Sequence, residues 1–159
     1  MVELIVARIL HVIGVVLWIG GVAMVTTVLL PATRRLKAPE ERVQFFERIE
    51  TGFARQARWT VLITGLSGFY LAYLLDAWDR FRQPSYWWMH AMVAIWAIFT
   101  LMLFVLEPLW LHQWFEQSAE QRPEGTFKLI QRLHWLLFSI SLLTVAGAVA
   151  GSHGWLLVW

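Results

Sequence analysis

The sequence predicts an all-α fold, an integral membrane bundle of four helices in up-down-up-down order. Three observations lead there. Of 159 residues, 58% are hydrophobic and only 15% charged, with a mean hydropathy of +0.57, whereas a soluble domain keeps roughly a quarter of its residues charged. The charges are clustered, leaving Leu4–Leu30, Trp59–Leu75, Trp87–Leu106 and Leu133–Val158 almost free of them. Each stretch is close to or above the ~20 residues that cross a hydrocarbon core, and short connections make consecutive helices antiparallel neighbours. With no repeat, low-complexity segment or composition break, residues 1–159 read as a single transmembrane domain.

The first helix is expected over about residues 4–30. Its apolar run is longer than the ~7–15 residues of a signal h-region, and Glu3 stands where a basic flank belongs, so it reads as a retained span. It should end near Pro31, where Pro-Ala-Thr-Arg-Arg marks an interface. Pro39-Glu-Glu then opens an amphipathic segment over about residues 39–55. Proline suits a first helical position, and Val43, Phe46, Ile49 and Phe53 recur at helical spacing among charges. This segment is expected to lie at the cytoplasmic surface and run on into helix two.

Helix two, about residues 57–78, carries Gly65 and Gly68, which allow close helix contact. After a short outer loop, Tyr86, Trp87 and Trp88 form an aromatic belt opening helix three, about residues 86–112; Trp110 and Trp114 mark its other end. Pro108 should kink this helix. Helix four, about residues 127–150, contains Gly147-x-x-x-Gly151, a pattern that permits a homodimer without requiring one. The tail Gly151-Ser-His-Gly-Trp155 should fray or bend before Trp159.

Charge sets the orientation. Arg34, Arg35, Lys37, Arg42, Arg48, Arg55, Arg58, Arg122, Lys128 and Arg132 fall on one side, against Arg8, Arg80 and Arg82 on the other. The positive-inside rule makes the first and third loops cytoplasmic and both termini periplasmic, in a bacterial inner membrane. Topology accounts for the basic clusters, so no nucleic-acid partner is expected.

The chain has no cysteine, which excludes disulfides, thiolate zinc sites, iron–sulfur clusters and covalent c-type haem. Any metal must be held by histidine, methionine or carboxylate. His11, His90 and His153 lie near the outer ends of helices one, three and four, so three imidazoles share one depth; His112 and His134 lie at the cytoplasmic level. Ionisable side chains within a membrane mark functional sites, and imidazole is the usual protein ligand of haem b iron. At 100° per residue, His11, Gly14, Trp18 and Gly21 fall within about 80° of one another, so glycine leaves room for a macrocycle and an indole can stack on it. The bland alternative is that the glycines only permit close packing and the histidines anchor at the interface. The pair His112 and His134 can host a second haem or simply hydrogen-bond there.

Glu107 is the carboxylate well inside a predicted span, and accepts protons for a quinone or pairs with Arg55, Arg58 or Arg132. Met89-His90-Ala-Met92 offers the alternative of a copper site, because thioether and imidazole suit Cu(I). Packing is the usual role of membrane methionines.

With these residues in place, the chain resembles the copper-resistance protein D and HemJ-type protoporphyrinogen oxidase group of small membrane proteins. The resemblance rests on His11-Val-Ile-Gly-Val-Val-Leu-Trp-Ile-Gly-Gly21 and on Trp87-Trp-Met-His90. It implies haem b held by histidines such as His11 and His90, with redox work near the quinone pool. Met92 stands where the HemJ type has a lysine, and Gln131-Arg-Leu-His134 where that type has an Asn-Glu pair. The expectation is therefore a b-type haem protein, a haem-dependent oxidoreductase or electron carrier distinct from the porphyrinogen oxidases. The alternatives are a copper-handling membrane protein, a HemJ-like oxidase, or a subunit without cofactor.

Overall fold

The computed structural model describes residues 1–35 and 39–155, excepting the side chains at 39, 40, 47, 112, 116, 119, 120 and 123. Lys37 and Trp159 thus lie outside the described residues. All regular structure within them is helical. The helices are α1 (Val2–Met24), α2 (Leu30–Arg34), α3 (Pro39–Leu74), α4 (Trp87–Leu101), α5 (His112–Gln121) and α6 (Pro123–Ser152). Wider π-helical turns at Val25–Leu29 and Met102–Leu111 join α1 to α2 and α4 to α5. Short 3₁₀ turns over Trp78–Arg82 and Pro84–Tyr86 bridge α3 and α4.

Three helical segments are long and apolar enough to cross a membrane: Val2–Arg34, Pro84–Leu111 and Glu124–Ser152. Most of their large apolar side chains face outward, among them Val16, Leu109 and Leu143. The expected span over residues 57–78 is not among them. Arg58 and the hydroxyls of Thr60, Thr64, Ser67, Tyr70 and Tyr73 make this part of α3 more polar.

Helix ends differ from expectation where backbone chemistry intervenes. Helix one does not stop at Pro31; it widens into a π turn and continues to Arg34. The wider turn removes the clash between the proline ring and the preceding turn. Pro108 is likewise absorbed in the π-helical Met102–Leu111, and the helix runs on through α5. Residues 39–55 form one helix with the stretch that follows, about 54 Å long at 1.5 Å per residue. Its Phe46 is buried against Leu29, Leu30, Phe115 and Phe127. The segment therefore packs on extensions of its neighbours.

Helix α3 stops at a left-handed residue, Asp76 (φ 46°), with Ala77 N–H bonded to Ala72 O and Asp76 N–H to Tyr73 O. This double closure is a Schellman cap. The same closure ends α6: Gly154 (φ 83°) bonds Gly151 O and Trp155 bonds Ala150 O.

Helix α1 packs along α3, α3 against α4, α4 against α6, and α6 against α1. Contacts run in opposite chain directions, as in Gly14 with Thr64 but Gly21 with Phe53. Small residues set the spacing. A methyl group on Gly14 would meet Thr64 Oγ1 at 2.5 Å, and indole rings fill the notches at Gly65 (Trp96), Gly147 (Trp87) and Gly151 (Trp88). The Gly147-x-x-x-Gly151 surface is thus occupied from within the chain.

Two apolar cores result. One gathers Trp18, Ile19, Val22, Val61, Ile95 and Phe99; the other gathers Val25, Leu29, Leu30, Phe46, Phe115 and Phe127.

Candidate functional site

His11 is the histidine most firmly held between helices. A histidine on α1 needs a partner in this apolar setting, and α3 supplies one because Gly68 has no side chain in the way. The His11 ring lies over Gly68, where a Cβ would come within 2.9 Å of Cε1, and its Nδ1–H donates to the Thr64 carbonyl at 2.9 Å. That bond fixes the tautomer and leaves Nε2 as a lone-pair donor. Ser67 Oγ lies 3.4 Å from the same Nδ1 and gives its own proton to Ile63 O.

His90 and His153 are placed differently. His90 is exposed; its Nε2 pairs with Phe81 O at 2.8 Å and its ring meets Phe81 edge-on. From the His11–Gly68 and Gly65–Trp96 contacts, the His90 backbone lies about one turn farther out than His11. His153 is also exposed, with Nδ1 bonded to Val149 O one turn back. Among the described residues, no three of His, Asp and Glu converge to hold a metal ion. His90 and His153 each place a ring nitrogen on a backbone carbonyl close to them in sequence. Met89 and Met92 are half-buried on α4.

Gly14 and Trp18, expected beside a macrocycle, are used in packing. Gly14 admits Thr64, and Trp18 is 4% exposed with its ring edge-on to Phe99 at 5.0 Å. The Trp18 indole N–H has no hydrogen-bond partner. Toward the opposite end of the bundle from His11, His134 is half-buried on α6 with Nδ1–H donating to Ile130 O at 3.0 Å. The side chain of His112 lies outside the described residues, so its pairing with His134 is not part of this geometry.

Glu107 pairs with Arg58, one of the three arginines expected for it. Arg58 also donates through Nε to Leu103 O at 3.2 Å. This second bond has a specific cause. In a π-helical stretch the Leu103 carbonyl would take the amide five residues on, and that residue is Pro108, which has none. The other π turn repeats the pattern. Leu30 N–H bonds Val25 O, so Thr26 O is left facing Pro31; Gln131 Nε2–H reaches across from α6 to donate to it at 2.7 Å. Neither clamp was singled out by spacing. The signal was present as a proline late in an apolar span, which leaves a carbonyl that a facing helix must satisfy.

Arg58, Glu107, Gln131 and His134 thus lie on three long helices between the residues of the two apolar cores, with Thr26 on the fourth. Comparison of the chain with protein-family models, curated proteins and solved structures finds no match. The site must be read from its own chemistry.

Proposed function

We propose that the protein is an integral four-helix up-down-up-down bundle of the bacterial inner membrane that binds haem b and works in redox chemistry near the quinone pool. The observation that carries this reading is the state of His11. Its Nδ1–H is committed to the Thr64 carbonyl, so Nε2 is the free nitrogen, and a backbone carbonyl behind a ligating imidazole orients the ring and raises its basicity. The His11-to-Gly21 motif and the Trp87-to-His90 motif support the same assignment.

The residues present suit one histidine ligand for a haem better than two. His11 would hold the iron through Nε2, and Thr64, Ser67 and Gly68 would keep its ring in place. His90 would be available as a second ligand only if its Nε2 were not held on the Phe81 carbonyl. Haem, when bound, would supply one-electron chemistry; the chain would supply the ligand and its orientation.

The test is the visible spectrum of protein purified from haem-replete cells, before and after His11→Ala. We expect a Soret band and a reduced α-band from non-covalent haem, both lost in His11→Ala. A colourless preparation, or one whose spectrum His11→Ala leaves unchanged, overturns the reading; copper found by elemental analysis would then favour the Met89–His90–Met92 alternative.

A further inference from the structure

The turn from α5 into α6 encloses a cleft of about 380 Å³ lined by Trp114, Ser118, Gln121, Arg122, Thr126 and Leu129. Its walls are fixed by the fold. Arg122 precedes a proline and takes an extended conformation (φ −143°, ψ 64°), which breaks the chain between the two helices. The Thr126 hydroxyl then donates to the Ser118 carbonyl at 2.9 Å, and the neighbouring Phe127 packs edge-on to Phe115 in the core. One end of the cleft carries a guanidinium, an amide and a hydroxyl; the other carries the Trp114 indole and Leu129. Among the described residues no carboxylate lines it, and Arg122 makes no ion pair.

The apolar end continues along both helices. Leu129, Leu133 and Leu136 are exposed on one face of α6, and the exposed Trp110 leans on Trp114, ring centroids 6.1 Å apart. The cleft also lies where two of the long apolar segments end, at Leu111 and at Glu124. In a bilayer that is the level of the headgroups. A cationic, donor-rich pocket above an apolar stripe is complementary to an amphiphile with an anionic head. Guanidinium suits the oxygens of a phosphate, and the stripe suits an acyl chain, which a free anion lacks.

We propose that this cleft binds the headgroup of an anionic phospholipid, with the phosphate on Arg122 and an acyl chain along Trp114 and Leu129. The inference rests on the membrane placement proposed above and is independent of the haem reading.

The test is native mass spectrometry of the full-length protein, stripped of lipid in detergent and titrated with phosphatidylglycerol or with phosphatidylcholine of the same chains. We expect phosphatidylglycerol to bind about tenfold more tightly, the share of one charge-assisted hydrogen bond. Arg122→Gln should erase that preference at unchanged melting temperature, because the side chain is exposed. Arg35→Gln, which removes an exposed arginine outside the cleft, should leave it intact. The proposal is overturned if the two lipids bind alike, or if Arg35→Gln costs as much as Arg122→Gln, the mark of diffuse attraction. It is equally overturned if inorganic phosphate at the same concentration displaces the lipid, the mark of a free-anion site. Retention of the chain in carbonate-washed membranes, read separately, distinguishes these failures from failure of the membrane placement.

Discussion

Gln131 on α6 donates its side-chain amide to the backbone carbonyl of Thr26 on α1 at 2.7 Å, across 105 positions of sequence. That carbonyl is free because Pro31 cannot serve it. Arg58 does the same for Leu103 O, which faces Pro108. Each carbonyl left without an amide by a proline is thus satisfied by a polar side chain from another helix.

The pairing predicts coupling between clamp and proline. Gln131→Leu should destabilise the protein by about 1–3 kcal/mol, the cost of an unsatisfied buried carbonyl. In a Pro31→Ala background the restored amide should recover a good part of that loss. Melting in detergent of the two single variants and the double variant measures it. Strict additivity would show that Gln131 is not serving the proline-released carbonyl.

Arg58 and Glu107 make a partly exposed pair, with 37% and 27% of each side chain accessible, so solvent weakens the ionic part. Glu107→Gln keeps an acceptor and should cost less than ~1 kcal/mol. Arg58→Leu also uncovers Leu103 O and should cost about 1–3 kcal/mol. Equal effects from the two substitutions would remove the backbone bond from the account.

Glycine positions separate cleanly. Gly14→Ala would press a methyl onto Thr64 Oγ1 at 2.5 Å and should cost about 1–3 kcal/mol through overpacking. Thr64→Ala in the same chain should relieve part of it. Gly20→Ala meets nothing within 4 Å and should be neutral or slightly stabilising.

The glycines at 147 and 151 receive the Trp87 and Trp88 rings. Gly151→Leu should therefore lower the melting temperature, and Trp88→Ala should make the chain more tolerant of it. If Gly151→Leu instead changed only the oligomeric state at unchanged melting temperature, the notch would be serving another copy.

The charge bias, ten of thirteen basic residues on one side, predicts an outward-facing C-terminus. A reporter fused to the C-terminus should be active only in its periplasmic form. Activity confined to a cytoplasmic reporter would reverse the topology.

The sequence by itself determined the helical class, the apolar spans at α1, α4 and α6 and the clustering of basic residues. All of these rest on local composition or on neighbours a few positions apart. It also marked His11, Gly14 and Trp18 as one face of one helix. Tertiary structure decided what that face meets: Gly68 under His11, Thr64 against Gly14, Phe99 against Trp18. It also decided that Arg58, rather than Arg55 or Arg132, takes Glu107, and that the prolines are bridged rather than used as helix ends. A span's periodicity fixes which residues share a side but not the rotation and axial shift of the helix packed on it. Hydrogen bonds formed across such an interface depend on both.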